Sequence, residues 1–80
     1  METQTRQIII DKFETIKQIH EPNTLAKRRE CRLIMTAYVE ALMNFDIIDD
    51  NEFDEIWHKL MKWESHPSWV TSLFPREVQA

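Results

Sequence analysis

The chain has 80 residues, a net charge of −4, 42% apolar residues, one cysteine and no glycine. A chain this short forms one domain and buries only about 60% of the surface its unfolded form exposes, and a single thiol cannot staple it internally. Lack of glycine excludes phosphate loops and dinucleotide fingerprints, which need backbone positions open only to glycine, and disfavours the tight hairpins of an all-β fold.

The pattern predicts an all-α protein, one helical domain over residues 1–80. It is a small three-helix bundle built on a helical hairpin, with helices over about 4–20, 25–45 and 50–65 and a short fourth over 68–74. In the first helix Ile9, Phe13, Ile16 and His20 recur at helical spacing, Ile8 and Ile19 widen that face, and Thr5 is a candidate cap. Pro22 lacks a donor and disfavours helical geometry at Glu21, so the helix breaks there. Asn23 or Thr24 then caps the second helix, which holds no Pro or Gly. It carries one apolar stripe of Cys31, Ile34, Tyr38, Ala41 and Phe45 and an adjoining one of Leu25, Met35, Val39 and Leu42. A face this wide suits a central helix that touches both others or a symmetry mate.

Asp46 to Asp50 is the turn, with Ile47 and Ile48 expected as inward plugs. Asp49 followed by Glu52 has the spacing of a capping box. The third helix buries Phe53, Ile56, Trp57 and Leu60, with Met61 or Trp63, and stops at Pro67. Trp69, Leu73 and Val70 would fold the fourth helix back onto the bundle, and the last five residues are expected to fray. From Leu42 to Leu60 the apolar helix end, the Ile-Ile pair, the acidic cap and the Glu-Phe opening resemble the helix–turn–helix of SHOCT-type bacterial modules. The resemblance covers under a quarter of the chain, places Asp46 where that family has glycine, and implies a helical hairpin without implying a function.

Charge is divided along the chain. Residues 1–32 carry seven Lys/Arg against five Asp/Glu, and residues 33–80 carry three against nine. Lys27, Arg28, Arg29 and Arg32 crowd the first two turns of the second helix, where the helix dipole opposes cations. Either they are neutralised internally, by Glu21, Glu14 or the acidic edge, or they meet phosphate or an acidic partner surface. That acidic edge, Asp46, Asp49, Asp50, Glu52, Asp54 and Glu55, serves as helix cap or as a negative docking patch. It fails as a calcium loop, because the sixth residue from Asp46 is Asn51 and the twelfth is Trp57. Trp63, Trp69 and Phe74 are either the lid of a small core or an aromatic contact surface.

Catalytic chemistry finds little footing. Glu55 and His58 have the spacing of one half of a di-iron motif, but no second copy exists. His20 and His66 close helices, where a cation is favoured. Cys31 sits near three arginines that would activate a thiolate, yet it falls on the apolar stripe and is expected to be buried. No catalytic residue, metal or cofactor is therefore expected. The short apolar runs cannot span a bilayer, no secretory leader is evident, and the lone thiol suits a reducing cytoplasm. The expected function is a non-catalytic protein-binding module: a small intracellular regulator or inhibitor of a larger protein, in the style of phage or mobile-element proteins that block host machinery. A homodimer through the second helix fits the same data. The alternative is a nucleic-acid-associated regulator that lays the Lys27–Arg32 cluster on phosphates.

Overall fold

The computed structural model describes residues 1–74. Three helices, α1 (Thr3–His20), α2 (Leu25–Asn44) and α3 (Asp50–Ser65), are followed by a single 3-10 turn at Pro67–Trp69, and there is no strand among the described residues. No helix among them is long and apolar enough to cross a membrane.

Local sequence chemistry fixes each end. The first helix starts after Glu2, which makes no side-chain cap, so Thr5 lies inside the first turn and caps nothing. At its other end Glu21 takes a left-handed φ of 46° and donates its N–H to the Lys17 carbonyl. In α2 the Thr24 hydroxyl accepts the Lys27 N–H at 3.2 Å. That helix closes when the Asp46 N–H reaches back to the Met43 carbonyl and the Ile47 N–H to the Leu42 carbonyl, with Asp46 left-handed at φ 60°. This is a Schellman ending, and Asp46 does there what glycine usually does. The same geometry turns Ile47 outward, 52% exposed, and sends Ile48 into the core; the expectation that both plug inward holds only for Ile48. Asp49 opens α3 with a complete capping box: its Oδ1 accepts the Glu52 N–H at 2.8 Å, and Glu52 Oε1 accepts the Asp49 N–H at 2.9 Å.

The core takes one stripe from each helix: Ile9, Phe13 and Ile16 from α1; Cys31, Met35 and Val39 from α2; Ile56, Leu60 and Trp63 from α3. Central α2 packs against both other helices, while α1 and α3 do not bring their backbones together. Side chains fill the gap between them. Phe13 meets Trp63 edge to face at 4.9 Å, and Leu73 from the C-terminal segment is buried beside them.

Three expectations need correction. No fourth helix forms over 68–74. Pro67 starts a turn closed by Trp69 N–H to the His66 carbonyl and Val70 N–H to the Pro67 carbonyl, and the chain then runs irregularly, which lets Leu73 reach the core. The wide α2 face is buried only in part: Cys31 of the first stripe and Met35 and Val39 of the second are inside, whereas Ile34 and Phe45 of the first and Leu25 of the second are exposed. Ile8 and Ile19 likewise lie outside the α1 core face. The expected fraying of the last residues lies outside the described ones.

Candidate interaction surface

The basic cluster folds onto a counterion absent from the sequence-based candidates. Glu64, in the last turn of α3, is buried, and Arg32 Nε donates to its Oε1 at 2.6 Å. Arg29 Nε lies 3.5 Å from Oε2, and Arg28 Nε donates to the Glu64 backbone carbonyl at 2.8 Å. Antiparallel packing explains the arrangement. It sets the cation-rich start of α2 beside the C-terminal end of α3, whose carbonyls and dipole favour positive charge. Burial pushes the Glu64 carboxyl up, but the hydrogen bond and charge of Arg32 and the charge of Arg29 outweigh it, so its pKa lies below the ordinary carboxylate value. Of the candidate neutralisers, Glu14 pairs with Lys17 instead, and Glu21 is exposed at the left-handed end of α1. Lys27 stays exposed at the edge of the cluster.

On the acidic edge, Asp49 and Glu52 are consumed by the capping box. Glu52 also meets the Met1 ammonium at 2.5 Å, and that contact, with the Asp49 backbone N–H, lowers its pKa. Asp46, Asp50, Asp54 and Glu55 remain exposed. Of the aromatic candidates, Trp63 is buried in the core and leaves the contact surface, because its ring fills the space between α1 and α3. Phe74 is half-buried, with the Arg6 guanidinium 5.9 Å from its ring centre. Only Trp69 is exposed, stacked on His66 at 3.9 Å. It borders an open groove of about 1280 Å³ beside α3, together with Asp54, His58, Lys62 and Thr71.

The histidines stay apart. His20 lies 4.0 Å from Glu30, His58 Nδ1 is 2.7 Å from the Asp54 carbonyl, and His66 faces Trp69. No group of three His, Cys, Asp or Glu placed to hold a metal occurs among the described residues. Burial, then the nearby Glu30 charge, pushes the Cys31 thiol up, so the arginines next to it in sequence do not activate it.

One surface is only half legible in the sequence: its α2 stripe and the surplus width of that helix's apolar face are, but the α1 stripe beside it is not. Ile8, Lys12, Thr15 and Ile19 form a stripe on α1, and Ile34, Tyr38, Ala41 and Phe45 form one of the same spacing on α2. Lys12 Nζ sits 5.3 Å from the Tyr38 ring, and His20 approaches Glu30, so the two stripes lie side by side on antiparallel helices. Ile19 is 70% exposed, Ile8 49%, Ile34 38% and Phe45 78%. The available signal was the surplus width of the apolar face on α2.

No family model, curated protein or solved structure matches the chain. None of these comparisons supports the resemblance of the hairpin to SHOCT-type modules.

Proposed function

We propose that the protein is a non-catalytic protein-binding module whose contact surface is the outer face of α1 and α2. One observation carries this reading. Four large apolar side chains, Ile8, Ile19, Ile34 and Phe45, stand exposed on one face while other residues complete the core. Apolar surface gathered on one face favours burial against another chain, at roughly 25 cal/mol per Å² removed from water. Regulation or inhibition of a larger protein, as phage-type accessory proteins do, would use the charged edges beside this face. The test is affinity capture with nuclease-treated lysate. Wild type retains specific proteins, and Ile34→Glu with Phe45→Glu loses them while keeping its helical circular dichroism. Equal capture by both would remove this face from the proposal.

A second reading, contact with nucleic acid, draws on the three guanidiniums gathered at Glu64, of which Arg29 and Arg32 share its one carboxylate and Arg28 takes its backbone carbonyl, leaving positive charge in excess. Lys27→Glu with Arg29→Glu tests it while leaving the Arg28 and Arg32 bonds intact. Salt-dependent retention on DNA that this variant abolishes would support it; no retention by wild type would dismiss it.

A further inference from the structure

We infer that residues 67–74 are a displaceable strap. They plug an apolar cleft between α1 and α3, and an aliphatic side chain on another chain lifts them out by taking the place of Leu73 while the three helices stay folded. This site lies apart from the α1–α2 face, and the inference stands without it.

The cleft follows from how the helices pack. Both α1 and α3 lie against α2, and their backbones do not meet. Large side chains bridge the gap, Phe13 from α1 and Trp63 from α3, edge to face at 4.9 Å. Their rings form an apolar floor that the helices alone leave open, and covering it falls to the chain beyond Pro67. The strap runs back along α3. Trp69 stacks on His66 at the C-terminal end of that helix, and Phe74 reaches the first turns of α1, where the Arg6 guanidinium is 5.9 Å from its ring centre. Between them Leu73 drops into the cleft and is 3% exposed.

The strap is anchored as a ligand is, through side chains. Among residues 67–74 Leu73 is the one buried side chain, Val70 and Phe74 are half-buried, and Ser68, Trp69, Thr71 and Ser72 are exposed. Its hydrogen bonds close on itself: Trp69 N–H to the His66 carbonyl, Val70 N–H to the Pro67 carbonyl, and Phe74 N–H to the Ser72 hydroxyl. None of these joins it to α1 or α2, so lifting it breaks no helix bond. It also borders open space on both sides, the groove toward α3 and a void of about 60 Å³ toward α1 lined by Ile10, Phe13 and Lys17. A segment with one buried contact and no ladder or helix bonds belongs to the low-stability end of a fold and opens before the rest. The helices keep their own caps, and Ile9, Met35, Ile56 and Leu60 are fully buried among themselves and their neighbours. The present occupant shows what fits the cleft: one aliphatic side chain on an irregular segment whose adjoining residues, Thr71 and Ser72, are polar.

Thiol labelling of the full chain carrying Leu73→Cys tests the inference, with the buried Cys31 as reference in the same molecule. The thiol at position 73 is expected to react with maleimide at least about tenfold faster than Cys31. Its rate should hardly change as urea rises below the unfolding transition, because opening a strap exposes little surface, whereas the Cys31 rate should climb steeply. A blocked peptide copying residues 67–74, at roughly millimolar concentration to match the effective concentration of the tethered strap, is expected to quicken labelling at position 73. The same peptide carrying Leu73→Ser should leave that rate unchanged. Leu73→Cys, and Leu73→Ser in the protein itself, should both keep helical circular dichroism and one cooperative unfolding transition. Equal rates or equal urea dependence at the two thiols would overturn the strap, as would loss of helix in both variants. A leucine peptide that leaves the rate unchanged would overturn displacement by another chain.

Discussion

Replacing Glu64 with Gln keeps the volume of the side chain and removes the charge that Arg29 and Arg32 share. Arg32 makes a charge-assisted bond of 2.6 Å to it from a side chain only 15% exposed, the class of bond worth about 1.5–3 kcal/mol. Arg29 is 3.5 Å away and 58% exposed, so its contact is screened and adds about 0–1 kcal/mol. Arg28 binds the backbone carbonyl, and that bond survives the substitution. The Gln oxygen still accepts from Arg32, and the arginine rehydrates in part, so the expected loss at neutral pH is about 1–2 kcal/mol. Urea unfolding followed by circular dichroism, on protein dilute enough to be monomeric, reads this as a fall in midpoint of about 1–2 M for a slope near 1 kcal/mol/M. The pH dependence adds a second reading. The folded pKa of Glu64 is depressed, so its stabilisation is present above the ordinary carboxylate value of 4.5 and fades as pH falls through the folded value. Wild type and Glu64→Gln should therefore converge in acid. Part of the acid dependence remains in the variant, because Glu52 is depressed as well. A variant as stable as wild type at neutral pH, or one whose deficit persists unchanged in acid, would refute the role given to this carboxylate.

Leu73→Ala should cost about 2–4 kcal/mol, the usual penalty for emptying a buried leucine site, because this side chain fills the gap between α1 and α3; chemical denaturation measures it. Asp46→Gly should stabilise the protein by about 0.5–1 kcal/mol, since relief of the left-handed strain exceeds the entropy glycine adds to the unfolded chain; thermal unfolding of the variant checks it. Asp49→Ala removes one half of the capping box and should cost about 1 kcal/mol, with amide exchange accelerated in the first turn of α3.

Helix boundaries were legible in the sequence because their signals are local. Thr24, Asp49 with Glu52, Pro22 and Pro67 each act within a few residues, and all of them mark helix ends in the structure. The core of α1 and α3 is legible in its centre, Ile9, Phe13, Ile16, Ile56 and Leu60, but not at its margins, where Ile8 and Ile19 are exposed and Phe53 and Trp57 only half-buried. On α2 two stripes compete, and periodicity alone does not say which faces inward. Packing against two helices at once selects Cys31, Met35 and Val39 and leaves Ile34 and Phe45 outside. The neutralisation of the basic cluster was half legible. An internal counterion was anticipated, but Glu64 stands 32 residues from Arg32, and only the antiparallel contact of α2 with α3 joins them. The C-terminal segment was misread because Trp69, Val70 and Leu73 suit a helical face as well as they suit an irregular strap. Packing decides for the strap, because it puts Leu73 in the core and leaves Trp69 outside.

Maleimide labelling of Ala41→Cys, alone and with the proteins that wild type captures, tests whether the α1–α2 face is a contact surface. The added thiol lies in the middle of that face, and the buried Cys31 is its internal reference. Rapid labelling of the protein alone, strong slowing once the captured proteins are added, and a silent Cys31 throughout are the predicted results. An unchanged rate with those proteins bound would contradict the contact surface, and a thiol unreactive in the protein alone would place this face inside the fold.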